Sequence, residues 1–493
     1  MVDNLTGNPQ AALDSLTRGS SLAIQVENQE QQALILLSMG ISYRLVNKPE
    51  EALRNYQDSI AINEKLGQKR GVAGALNEVG LVQRTSGKPD AALASYNKAL
   101  VLLRDIGMKD ETANTLTNLG VVYQDLGKFD QALEVYKQAL QIQRETGDQS
   151  YESQCLDNIA GVYLAMGDTD NAFTYSQQAL QLREKLGVPG DIADTLERLS
   201  EAYTATGQYD QAMTVLMRAL ELSRKVGDSG RIALVSHQIG LVLGYQGRFG
   251  ASVKSLQDAV NAFRAQGENG EDMAEFLADL SGAMARAGKG DESSSTLDQA
   301  EKIQQALKNE SLLAAILNTR GDVDFYRGDF KNAEQSYQSA LRLASRTKED
   351  EVTLLSKVNL VRVAVAEGRY QEALRMLQPL LNGKRAAPAN LSLQINLAAA
   401  QASIGMKDYA RANHILGQEL ITAKRAGMRF DLARTYYLLG TSARLNGNGE
   451  RAADYYREAA QLLDVVRGDS GAENIMQRVD FKTIYEESNR WKR

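Results

Sequence analysis

The sequence predicts an all-α chain built as a solenoid of antiparallel helix pairs, and three observations carry that prediction. Apolar residues recur at three- and four-residue steps, as Leu116, Leu119, Val122, Tyr123 and Leu126, and again past Gly127 as Phe129, Ala132, Leu133, Tyr136, Ala139 and Leu140. That pattern traces two amphipathic helices with one break. It returns about every forty residues along most of the 493-residue chain, and a unit of this kind buries its apolar face only by stacking on a neighbour. Only six prolines occur, while Ala, Leu, Gln and Glu are abundant, a composition that favours helix throughout.

Residues 111–147 show the unit most clearly. Gly127 and Gly147 suit the left-handed position that ends a helix. Gly120 and Ala132 remove bulk where the two helices cross, so Leu119, Tyr123 and Tyr136 can interlock around them. The order Leu116, Leu119, Gly120, Tyr123, Ala132, Tyr136 resembles the tetratricopeptide repeat, without its closing proline and with each helix about a turn longer. That resemblance implies a right-handed superhelix whose first helices line a concave wall, with extended peptides or helices as ligands.

Taken in order, residues 1–30 supply a second helix with almost no first helix, so the sequence predicts that the natural chain extends upstream, as a missing N-terminal domain, or that a second chain covers this edge. Residues 31–266 hold repeats one to six. Residues 267–308 form a degenerate seventh repeat of low bulk and weak second helix, read as a candidate joint. Residues 309–467 hold repeats eight to eleven, and 468–493 read as a capping helix over repeat eleven, opened by a capping box of Ser470 and Glu473. The helix-ending position runs from Gly7 and Asn47 to Gly368, Gly405 and Gly447. The small residue of the first helix runs from Gly40 to Val361, Ala398 and Gly440, and that of the second from Ala52 to Ala373, Ala410 and Ala452. Pro9, Pro49 and Pro89 share one place in the first turn of a second helix, where a missing N–H costs nothing.

Several function classes are excluded on composition. A single cysteine, Cys155, cannot form an internal disulfide. No run approaches a membrane span and the start lacks a secretory signal, so the reading is a cytoplasmic protein without a membrane partner. The overall balance is acidic and the more basic C-terminal part lacks dense Lys/Arg runs, which argues against nucleic acid. The two histidines, His237 and His414, lie in repeats that a one-dimensional stack keeps apart, so neither a triad nor a metal cluster is expected. No phosphate-binding loop appears, and carboxylate pairs such as Glu197 and Glu201 read as a solvated face. The expectation is a protein that is not an enzyme and carries no cofactor and no metal.

The surface that remains is the wall formed by the first helices. Two residues before the small position lie Asn118, Asn158, Arg198, Asn359 and Asn396. One step earlier lie Asn77, His237 and Asn318, and four after it lie Arg44, Arg84 and Arg444. A carboxamide donates and accepts at once, so a ladder of them can hold a peptide backbone without reading its side chains. The asparagines at 118, 158, 359 and 396 resemble the groove of kinesin light chain repeats, with Arg198 interrupting the series. The function predicted is a protein-interaction scaffold with a peptide or helix as partner. The alternative is the sensing or regulatory region of a larger bacterial-type signalling protein, a kinase or a transcription regulator.

Overall fold

The computed structural model describes residues 9–267, 270–382 and 387–492. Gly7 and Asn4 lie outside the described residues, as does part of the stretch between repeats nine and ten. Among the described residues the regular structure is helix, with no strand. In chain order the helices of the first unit are α1 (Pro9–Gln25), α2 (Gln29–Leu45), α3 (Pro49–Lys65), α4 (Lys69–Thr85), α5 (Pro89–Asp105), α6 (Lys109–Asp125), α7 (Phe129–Thr146), α8 (Gln149–Met166) and α9 (Thr169–Leu186). The contacts divide the chain into two compact units, Met1–Gly187 and Val188–Arg493. The second unit runs α10 (Pro189–Ala205), α11 (Tyr209–Val226), α12 (Ser229–Tyr245), α13 (Phe249–Ala265), α14 (Glu271–Arg286), α15 (Gly290–Leu307), α16 (Glu310–Arg327), α17 (Phe330–Thr347), α18 (Asp350–Ala366) and α19 (Tyr370–Leu381). It continues through α20 (Ala389–Gly405), α21 (Tyr409–Arg425), α22 (Arg429–Leu445) and α23 (Gly449–Gly468) to α24 (Val479–Trp491).

One crossing recurs in every pair. A Cβ placed on Gly120 would come 2.7 Å from Cδ1 and Cζ of Tyr136, a side chain with no exposed surface. Gly40 faces Tyr56, Gly80 faces Tyr96, Gly321 faces Tyr337 and Gly440 faces Tyr456 in the same way. Where the first helix carries a larger residue, the second carries a smaller one at the matching place: Ser176 goes with Ala160, Leu216 with Ser200 and Leu377 with Val361. Gly240 faces Leu256 in the same place, and Gly440 with Tyr456 is the widest of these glycine approaches, at 3.0 Å. The residue of the second helix is thus close against that of the first at each of these glycine crossings, as close packing demands.

Repeat ten corrects the sequence reading. Its left-handed residue is Lys407 (φ 64°), not Gly405, which lies inside α20 against the Tyr370 ring. The buried small residues are accordingly Ala400 and Ala412, while Ala410 is exposed and Ala398 is buried two places earlier. With this register the step from Gly368 falls within one residue of the regular interval. The sequence pointed to Gly405 because glycine is the usual residue at this position, but the packing of α20 against α21 outweighs the cost of a lysine there.

Repeat seven is also fuller than expected. Its second helix, α15, spans 18 residues. The crossing is closed by serines in place of bulk: the Ser281 hydroxyl donates to the Ser293 carbonyl at 2.9 Å and the Ser293 hydroxyl to the Ser281 carbonyl at 2.8 Å. The first helix, α14, buries Met273, Phe276, Leu277, Leu280 and Met284.

In the second unit distant repeats meet, which overturns the expectation that a stack keeps them apart. A Cβ on Gly207 would lie 2.9 Å from that of Ala389, and Gly247 sits against Phe430. The Arg429 amide donates to the Gln246 carbonyl at 3.2 Å. Repeats five and six therefore close onto repeats ten and eleven.

The C-terminal segment fills the space this closure creates. It is not a helix from Ser470 onward: the Glu473 carboxylate accepts from the Gly471 amide at 2.9 Å, a 3-10 turn follows at Ile475–Gln477, and α24 begins only at Val479. Before the helix, the chain crosses the turns of three successive repeats. Gly471 lies on Gly250, Asn474 on Gly288 and Val479 on Gly328, each approach close enough that a side chain on the repeat's glycine would collide. Ala472, Ile475, Phe481 and Ile484 are buried with Phe249, Phe430 and Ala433 in one cluster.

Arg478 pins this segment. Its guanidinium, 2% exposed, bonds both carboxylate oxygens of Asp480 at 2.9 and 2.7 Å and the Arg286 carbonyl at 2.9 Å. It also stacks over Tyr326, Phe430 and Phe249 at 4.4, 4.5 and 5.1 Å. Burial pulls the Asp480 carboxyl upward, but the charge and hydrogen bonds of Arg478 outweigh it and hold the group below its ordinary value.

Three outcomes follow from this packing. Gly120→Leu should cost roughly 1–3 kcal/mol in thermal melts, by forcing Tyr136 away from the crossing; a melt matching the parent would contradict the crossing. Lys407→Gly should stabilise by about 1 kcal/mol by relieving a left-handed lysine, and Gly405→Ala should destabilise. A neutral Lys407→Gly would restore the other register. Arg478→Met should cost about 2–3 kcal/mol by leaving Asp480 unpaired. Because the Asp480 value is lowered on folding, its contribution is present above about pH 4 and is lost as the pH falls through the folded value. The gap between parent and variant should therefore narrow in acid.

Candidate functional site

Within each unit successive first helices touch one another directly, whereas successive second helices make weaker contact, which makes the first-helix layer the inner one. The eleven residues predicted to line that layer meet different fates in the two units.

In the Met1–Gly187 unit they stay at the surface. Arg44 Nε lies 3.4 Å from Glu78, which also accepts from the Tyr56 hydroxyl at 3.3 Å. Arg84 pairs with Asp125 at 3.0 Å, across to the next first helix. Both arginines are half-buried and their pairs are open to water, so they contribute little to stability. Asn77 donates to Thr115 Oγ1 at 2.8 Å, while its own Oδ1 is buried without a partner. Asn118 and Asn158 occupy equivalent places on α6 and α8, half-buried, and among the described residues neither carboxamide has a hydrogen-bond partner. Cys155 is buried below them, its Sγ 3.3 Å from Thr117 Oγ1, and burial pushes the thiol up.

In the Val188–Arg493 unit the same positions are consumed by the fold. Arg198 lies 3.5 Å from Glu201 on its own helix. His237, 8% exposed, bonds Asp279 at 2.8 Å through Nε2 and stacks on Phe276 with ring centroids 4.2 Å apart. Asn318 Oδ1 accepts from Ser356 and from Asn359 Nδ2, both at 3.3 Å, and Asn359 Oδ1 accepts from Arg362 at 2.7 Å. Asn318 and Asn359 are buried, so neither can meet a ligand, contrary to the sequence reading. Asn396 donates to Glu419 at 2.8 Å in a polar pair facing its own second helix, because the true register of repeat ten turns it inward. Arg444 donates to the Tyr456 hydroxyl at 3.3 Å and is covered by the Trp491 ring at 4.8 Å.

Two further features escaped the sequence. Glu197, taken as part of a solvated face, is largely buried. Burial, reinforced by Asp194 and Glu201 and only partly offset by Arg231, pushes its carboxyl up to about 8. The arginines of the inner face, Arg362, Arg434 and Arg478, also went unmarked, since isolated arginines carry no spacing signal. Gly250 was the available clue: it sits in the first turn of α13 with no positive φ, so its small size serves the approach of Ser470 and Gly471.

Among the described residues no group of three His, Cys, Asp or Glu side chains could hold a metal ion, and no helix is long and apolar enough to cross a membrane.

No curated protein matches the chain. Among solved structures, BtubC (BKLC) from P. vanneervenii is 20% identical over 45% of this chain and 92% of its own, at a TM-score of 0.41. The apo form of RapI is 15% identical over 56% of this chain and 99% of its own, at 0.47. A Rap protein complexed with competence and sporulation factor is 15% identical over 84% of this chain and 99% of its own, at 0.44. The family model described as tetratricopeptide repeat matches residues 71–145, 152–225 and 312–386. These three segments are tetratricopeptide repeats by that match, and the helix crossing they contain recurs in other repeats of the chain.

Proposed function

We propose that the chain is a protein-interaction scaffold that receives an extended peptide along the inner face of the Met1–Gly187 unit. One observation carries this reading: Asn118 and Asn158 stand half-buried on adjacent first helices, with carboxamides that have no partner among the described residues, while Asn359 and Asn396 of the second unit are bonded internally. Half-buried amides without partners are expensive unless water or a ligand meets them. Neighbouring first helices are about 10 Å apart, the length of roughly three extended residues, so one extended peptide can span both asparagines. The Arg44–Glu78 and Arg84–Asp125 pairs flank the track with both signs of charge. Backbone recognition of this kind selects an unfolded segment and acts by binding, without chemistry of its own.

The test uses peptides selected from a random library against the full chain. Asn118→Ala with Asn158→Ala should leave the melt within about 0.5 kcal/mol of the parent, since surface changes are usually that small. Peptide affinity should fall by roughly 1–3 kcal/mol through the loss of paired carboxamide bonds. Unchanged affinity for a peptide that cross-links to α6 and α8 would refute the track.

A further inference from the structure

The inner face of the second unit holds a cavity of about 250 Å³ between α16, α18, α20, α22 and α24. Most of its wall is apolar, from Phe325, Phe330, Val365, Leu438, Val479 and Ile484. Three charged groups face it, and two of them are already neutralised. Arg362 is held by Asp322 at 3.3 Å, Asn359 at 2.7 Å and the Tyr326 hydroxyl at 3.2 Å, with its plane 4.4 Å from the Phe325 ring centre. Asp480 is the bidentate partner of Arg478.

Arg434 is the exception. Among the described residues its guanidinium makes one hydrogen bond, to the neutral Gln401 Oε1 at 3.2 Å, and has no carboxylate within ion-pair distance. Protein surrounds it on all sides, yet part of its surface stays open because that part faces the cavity. Burial, and then the like charge of Arg362, lower its proton affinity against the pull of Asp431. A guanidinium offers five donors, and leaving most of them unmet beside an apolar chamber is costly unless an anion comes to them. A fork of N–H groups above an apolar floor matches a planar carboxylate on an apolar body. A wet chamber of this size takes a ligand of on the order of ten non-hydrogen atoms.

We propose that this cavity is a binding site for small apolar monocarboxylic acids, with the carboxylate on Arg434 and the body against Phe325, Phe330, Val365 and Leu438. The site is separate from the peptide track of the first unit. Because Val479 and Ile484 belong to α24, an occupant also buttresses the C-terminal helix.

Calorimetric titration of the full chain with benzoate tests this, with benzamide as the neutral isostere and inorganic phosphate as an anion without an apolar body. Benzoate should bind saturably at one site in the millimolar range or below and raise the melting temperature, while benzamide and phosphate should not. Arg434→Gln should weaken benzoate by about tenfold or more, the effect of losing charge-assisted bonds. Ala366→Phe, at an exposed position on the cavity wall, should abolish binding by filling the chamber with Arg434 intact. It also decides the matter if Arg434→Gln does not fold. Absence of saturable benzoate binding, equal binding of benzamide, or parent-like binding by either folded variant would overturn the proposal.

Discussion

The fold depends on how closely the two helices of a repeat can cross, and in five repeats a glycine set against a tyrosine ring settles that distance. The ring of Tyr136 occupies the place where a side chain of residue 120 would stand. With no side chain at Gly120 the ring can be fully buried, and the flanking leucines interlock around it. The same relation, with sizes traded between partners, runs from Gly40 and Tyr56 to Gly440 and Tyr456. Each crossing fixes the angle at which one pair is handed to the next. Contacts between successive first helices then follow, and so does an inner layer on which any function must be placed.

The two units use that layer differently. In the first it remains a surface, with half-buried polar groups that the fold does not satisfy. In the second the chain returns to cover it. The turn glycines 288 and 328, spaced by the repeat itself, together with Gly250, form a bed on which an extended stretch can lie close to the backbone. Arg478 then converts that bed into a joint, since its guanidinium reaches Asp480, the Arg286 carbonyl and three aromatic rings together. Among the described residues, the covered wall includes a chamber of about 250 Å³ lined in part by Val479 and Ile484 of this segment.

Much of this was legible in the sequence, because the crossing is local. The residues that make it lie within about twenty positions of each other and recur with the repeat, so periodicity reveals them. The prolines at the first turn of second helices were readable for the same reason. What the sequence hid is long-range. Gln246 and Arg429, or Arg286 and Arg478, share no periodic relation, and nothing local announces that repeats five and six will meet ten and eleven. The inner asparagines illustrate the boundary. Position alone put Asn118, Asn158, Asn318 and Asn359 on one track, but whether a carboxamide is free depends on Ser356, Arg362 and other partners that only the packed structure brings near. Repeat ten shows a further limit: Gly405 drew the register because glycine suits the left-handed turn, while Lys407 carries it.

The central claim is that the C-terminal segment is an integral part of the second unit's inner wall. Hydrogen exchange of the free chain under native conditions tests it most directly. The amides of α24 should exchange on the slow timescale of α22, through a shared opening of the unit, because Phe481 and Ile484 are buried with Phe430 and Ala433. Exchange of α24 as fast as that of an isolated helix, with α22 still protected, would show the segment to be a loosely held tail and would contradict the account.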